Sequence, residues 1–182
     1  MDFSKIKAIT IPEGKVKQIS IGNIVIWKAV VEPSYTNLVP LSTEADGVTI
    51  YNGGLGYKDG YRIRSGGAEG SHGNASCTGF IAAKGGDIVR LSGYDVKNSD
   101  VANAINVSDS NRSNLGQIVA NNSSSYGIFQ GKGENWDDVI LEKTGVYKWV
   151  VPNGYGIAYI RVTGYTSAHG ENMIVTVNEE IT

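Results

Sequence analysis

Residues 157–165 read IAYIRVTGY, with Ala158, Ile160 and Val162 at alternate positions and Tyr159 and Arg161 between them. Side chains on a β-strand alternate between its faces, so this spacing predicts a strand with one apolar and one polar, aromatic face. The closing segment MIVTVNEEI has the same alternation, Met173, Val175 and Val177 against Thr176 and Asn178. Working outward, KVKQISI, NIVIWKAVV, VTIYN, YRIRS, TGFIAA, DIVRLSGYDV, YGIFQ and GVYKWVV are further strand candidates. Glycine interrupts them at close intervals, and no stretch carries the period of a long amphipathic helix. Many short antiparallel strands, each with one face in the core and one toward solvent, predict an all-β fold. The expected architecture is an antiparallel β-sandwich of the jelly-roll kind.

A chain of 182 residues suits one ordinary domain with a small appendage. Its hydrophobic content of 41% is that of a folded chain. Twenty-four glycines against four prolines point to tight turns, and ten tyrosines against three phenylalanines to aromatics that keep one end wet. Net charge is −2, with acids and bases mixed and no basic block. Nucleic-acid binding is therefore not expected. No apolar run reaches the 18 or so residues that span a bilayer, so no membrane insertion is expected. The start, MDFSKIKAITIPEG, lacks the apolar segment of a secretory signal, so synthesis in a cytoplasm is expected.

Residues 1–31 read as a separate β-ribbon: ITI, the turn Pro12-Glu13-Gly14, KVKQISI, the turn Gly22-Asn23, then IVIWKAVV. A ribbon of this size builds little core alone. Its Ile24, Ile26 and Trp27 must pack on the main domain, another copy or a partner protein. Residues 32–36 read as a connector, since Pro33 drives Glu32 toward an extended conformation. The sandwich is assigned to 37–182. Within it, 101–125 is rich in Asn and Ser and reads as the softest part, with a short helix around 100–106 and an exposed loop at 121–125.

The chain offers little for catalysis. Neither His72 nor His169 has a second His or Cys within four residues, and Cys77 stands alone, so no zinc site or intrachain disulfide is expected. Cys77, within SCTGFIAA, reads as a small buried residue. Calcium has candidate ligands in Asp95, Asn98 and Asp100, or in Asp137 and Asp138, but no EF-hand spacing. The glycines of NGGLG and SGGAEGSHG suggest a phosphate cradle, yet no GK[ST] follows and NGGLG leads into another strand candidate. No G-x-S-x-G elbow marks a nucleophile, and nothing singles out a pair among Glu134, Asp137 and Glu142 for glycoside hydrolysis. N-x-S/T tripeptides such as those beginning at Asn74, Asn106, Asn111 and Asn122 read as chance products of a Ser/Asn-rich chain. A non-enzyme without a cofactor is the expectation.

Binding remains. Aromatic rings beside Asn, Asp and Lys suit a sugar platform: a ring stacks on the C–H face of a pyranose while polar neighbours bond its hydroxyls. Trp136 in GKGENWDD and Tyr155 in PNGYG lead, followed by Tyr57 and Tyr126. The competing reading of each is a ring folded back over the end of the core. Tyr147, Trp149 and Tyr159 lie within strand candidates and are expected to pack.

Three runs carry a resemblance: TNLVPLSTEADGVTIYNGGLGYKDGYRIRSGG, TGFIAAKGGDIVRLSG and AYIRVTGYTSAHGENMIVTVNEEI. Together they resemble a module of tail-associated structural proteins from phages and prophages of clostridia-like Gram-positive gut bacteria. KVKQISIGNIVIWKA resembles the short segments that lead such modules. The resemblance covers residues 36–100 and 145–181, whereas 101–135 departs from it. It implies a sandwich akin to carbohydrate-binding modules, commonly homotrimeric, displayed on a tail fibre or baseplate of the virion. It also implies partners among other tail and baseplate proteins and a host surface polysaccharide. It carries no catalytic residues across. A purely structural virion protein, a bacterial carbohydrate-binding module and a glycan depolymerase are the alternatives. On this reading IYNGGLGYKDGYRIRS at 50–65 is a strand, a glycine turn and a return strand. Tyr51, Tyr61 and Ile63 build the sheet, Arg62 and Arg64 face away from it, and Tyr57 and Lys58 stand at the tip as the part expected to touch a ligand.

Overall fold

The computed structural model describes residues 18–21, 24–28, 34–93, 105–119, 125–126, 128–130, 136–137, 139–165 and 170–182. The chain divides into two units, Met1–Ser34 and Tyr35–Thr182. In the first, β1 (Gln18–Ile21) and β2 (Ile24–Lys28) pair antiparallel, with Ile19 opposite Trp27 and Ile21 opposite Ile24. Ile24, Ile26 and Trp27 thus all lie on β2. The strand expected at 9–11 and the turn at 22–23 lie outside the described residues, as do Asp95, Asn98, Asp100, Glu134, Asp138 and His169.

The second unit begins with β3 (Tyr57–Ile63), β4 (Glu69–Thr78), β5 (Ile81–Ala82), β6 (Ile88–Ser92), β7 (Ile105–Ser108) and β8 (Asn114–Val119). It continues with β9 (Ser125–Tyr126), β10 (Ile128–Gln130), β11 (Val139–Lys143), β12 (Val146–Val150), β13 (Tyr159–Tyr165) and β14 (Ile174–Val177). Among the described residues one sheet has the order β10-β8-β7-β13-β4-β3, with β5 also paired to β13, and the other β14-β6-β12-β11-β9. All these pairings are antiparallel. The two sheets pack face to face as a β-sandwich.

Strand β13 behaves as its alternation predicts. Ile160 and Val162 join Ile105, Val107 and Ile118 on the inner face, against Val89, Leu91, Trp149 and Val175 of the other sheet. Each such side chain, fully withdrawn from water, contributes about 1.5–3 kcal/mol. The other face of β13 departs from expectation. Arg161 and Thr163 are 6% and 1% exposed, as buried as core residues.

The cover over that face is the far end of the β3–β4 hairpin. Near its base Tyr57, Lys58 and Asp59 pair with Thr78, Cys77 and Ser76; beyond a large bulge, Tyr61, Arg62 and Ile63 pair with Ser71, Gly70 and Glu69. The bulge folds the end of the hairpin back over the sheet. Ile63 N–H donates to Thr163 Oγ1 (3.0 Å), Asn106 Nδ2 to the Arg64 carbonyl (3.2 Å) and Asn114 Nδ2 to the Ser65 carbonyl (3.0 Å). The first two supply the buried Thr163 and Asn106 side chains with partners, without which each would lose about 1–3 kcal/mol.

Several expected elements are therefore redrawn. VTIYN is not a strand: Tyr51–Gly54 is a 3-10 turn, with Asn52 and Gly53 in the left-handed region at φ 49° and 67°. Tyr57 and Lys58 consequently stand inside β3, not at a hairpin tip. EGSHGNASCT, which the strand candidates touched only at Thr78, is the ten-residue strand β4, and its Cys77 is buried as expected. In the supposedly soft stretch, β7 and β8 form a hairpin within the sheet, and Ile105 and Asn106 are strand where a helix end was expected.

Candidate ligand-binding cleft

A cleft with convergent chemistry lies on the covered side of the first sheet, at the end where the hairpin flap stops. Three segments build it. The first is Phe80, just before β5, which exchanges both backbone hydrogen bonds with Thr43 (2.8 and 3.0 Å). The second is Tyr159, opening β13 between Ala82 of β5 and Ser108 of β7. Phe80 and Tyr159 meet edge to face, ring centres 6.2 Å apart at 86°.

The third is Arg112, in the β7–β8 turn. Asp109 organises that turn: its Oδ1 accepts from Asn111 N–H (2.8 Å) and Ser113 N–H (2.9 Å), and its carbonyl from Arg112 N–H (3.0 Å). Arg112 is held in the left-handed region at φ 62°, a conformation an arginine adopts at some cost. Its guanidinium carbon lies 4.3 Å from the centre of the Tyr159 ring and 5.8 Å from that of Phe80. On its other side is Gly47, where a Cβ would stand 2.1 Å from Arg112 Nη2. A side chain at this position, itself at φ 75°, would force the guanidinium to shift. Together with Leu38, Leu41, Thr43 and a floor of Ile81 and Ala82, these residues enclose about 260 Å³.

A charged cluster stiffens the wall behind Phe80. The Arg161 guanidinium sits 4.8 Å from the Phe80 ring and donates to Glu69 Oε1 (2.6 Å) and to the Thr78 carbonyl (3.0 Å). Glu69 also accepts from Tyr51 Oη (2.7 Å) and Lys58 Nζ (3.1 Å). Burial alone would push the Glu69 carboxyl up, but bonds from Tyr51, Arg161 and Lys58 hold it below the usual carboxylate range. Burial pushes the Cys77 thiol up to about 11, away from the thiolate form. On the second sheet Arg90 clasps Glu142 at 2.6 and 3.1 Å, and this bond holds the Glu142 carboxyl low as well. Both depressed carboxylates stabilise the fold fully above the ordinary glutamate value of 4.5 and lose that contribution as pH falls through their folded values. We expect a thermal midpoint that is flat near neutrality and falls below about pH 4.5. In a Glu69→Gln, Glu142→Gln double variant, calorimetry against pH should find that acid-side slope reduced.

The residues singled out from sequence do not come together here. Trp136 is 7% exposed and belongs to the core, with ring centres 6.0 Å from Trp149 and 5.5 Å from Tyr155. Tyr155 packs edge-on against it and is partly buried. Tyr57 packs on the core too, its ring against Gly170. Lys58 is engaged by Glu69 and by the Tyr61 ring, 3.7 Å away. Tyr126 lies on β9, paired with Val139. Tyr159, expected to pack within the sheet, instead borders the cleft. Sequence reasoning missed Phe80 and Arg112. The available signal was turn chemistry: an aspartate two and four residues before backbone donors, between two apolar segments, marks a hairpin whose tip carries Arg112. Among the described residues no three His, Cys, Asp or Glu side chains converge as a metal site requires, and no helix is long and apolar enough to cross a membrane. No protein-family model matches the chain, and neither does any curated protein or solved structure.

Proposed function

We propose that this protein is a non-enzymatic recognition module that binds a surface glycan in the cleft of Phe80, Tyr159 and Arg112. The observation that carries this reading is the pair of partly exposed rings set at right angles over an apolar floor. Such a corner suits the C–H face of a sugar, and the rim provides the Arg112 guanidinium for its hydroxyls. The proposed context is a phage tail fibre or baseplate, the sandwich being of the jelly-roll, carbohydrate-binding kind and the glycan that of the host cell. Residues 1–34 form their own unit; in this reading their ribbon, with Ile24, Ile26 and Trp27, mediates attachment or trimer formation.

Binding of the full chain to purified host polysaccharide, measured by biolayer interferometry, tests the assignment. Tyr159→Ala and Phe80→Ala should each weaken binding at least tenfold, about 1.4 kcal/mol, whereas Tyr155→Phe should not. Equal binding by all variants would remove the cleft from consideration.

A further inference from the structure

We infer that the ligand of this cleft carries an anionic group, a carboxylate or a phosphate, received by Arg112; this rests on the cleft being a sugar site. Three observations lead there. First, the two best-buried arginines each hold a carboxylate, Arg90 with Glu142 and Arg161 with Glu69, whereas Arg112 forms no ion pair among the described residues. Its Nε is buried and without a hydrogen-bond partner. A guanidinium withdrawn from water on one edge and unpaired on the other gains most from a bidentate anion.

Second, the nearby carboxylate is already occupied. Asp46 sits beside Gly47, but its Oδ1 accepts from Val48 N–H (3.0 Å) and Thr49 N–H (2.9 Å), and its Oδ2 from Thr49 Oγ1. It folds its own turn. Third, Arg112 is fixed before any ligand arrives. The Asp109 turn sets its backbone, and Tyr159 and Gly47 confine its plane. Little conformational freedom is left to lose on binding. Uronic acids and sugar phosphates both present an anion beside a pyranose ring, and either satisfies this geometry.

The test is an NMR titration of the full chain with trigalacturonate, glucose 1-phosphate and neutral maltotriose at low salt. At least one acidic probe should bind about tenfold tighter than maltotriose, and the preference should shrink as ionic strength rises. Arg112→Asn should abolish it, since asparagine accepts the left-handed backbone and the turn survives. The acidic probe that shows the preference identifies carboxylate or phosphate as the source. Equal affinities for acidic and neutral probes, or a preference that persists in Arg112→Asn, would overturn the anion while leaving the sugar site standing. No perturbation of the cleft by any of the three would overturn both.

Discussion

Glu69→Ala is expected to lower the unfolding free energy by about 3–5 kcal/mol. The carboxylate is the shared acceptor of Arg161, Tyr51 and Lys58. Its loss strands Arg161, whose side chain is 7% exposed, beneath the hairpin flap with a single carbonyl bond left, to Thr78. An uncompensated buried cation is costlier than the pair is stabilising, which is why truncating one partner exceeds the worth of an ordinary hydrogen bond. Urea unfolding should show the midpoint falling with little change in slope. Glu69→Gln keeps an acceptor for Arg161 and should recover a substantial part of the loss. Glu69→Ala should also weaken the cleft, because Arg161 lies 4.8 Å from the Phe80 ring and loses its anchor with Glu69. A loss below about 1 kcal/mol in Glu69→Ala would mean that the flap opens to water and Arg161 is solvated.

Trp136→Ala is expected to cost about 3–5 kcal/mol through the cavity it leaves between Trp149 and Tyr155. For a unit of this size that is a fall in thermal midpoint of about 10 °C. From the sequence, a tryptophan among Gly, Glu, Asn and Asp reads as a ligand platform, and its removal would then weaken adhesion without unfolding. The packing reverses that expectation. A variant that retains full stability would return Trp136 to the surface and reopen the platform.

The sequence by itself determined the class of fold. The alternation of Ile160 and Val162, and of Met173 and Val175, specifies strands with one core face, and that holds in the structure whatever surrounds them. The strand candidates at 87–96, 145–151, 157–165 and 173–181 fall on β6, β12, β13 and β14. Periodicity survives there because one face is apolar enough to be seen.

Only the tertiary structure decided the outer face and, with it, the cleft. Strands β7 and β8 are hidden in sequence because their outward residues, Asn106, Ser108 and Gln117, are polar yet buried, Asn106 beneath the β3–β4 flap. Polar residues lower the local hydrophobicity on which a strand is recognised, and their burial depends on hydrogen-bond partners far away in the chain. Asn106 and Arg64, 42 positions apart, are one such pair. The site has the same origin. Phe80, Arg112 and Tyr159 share no motif and come from three separate segments. They meet because β13 pairs with β5 on one side and β7 on the other. Strand register is a long-range outcome of which apolar face must be buried. No local pattern around any of the three residues contains it.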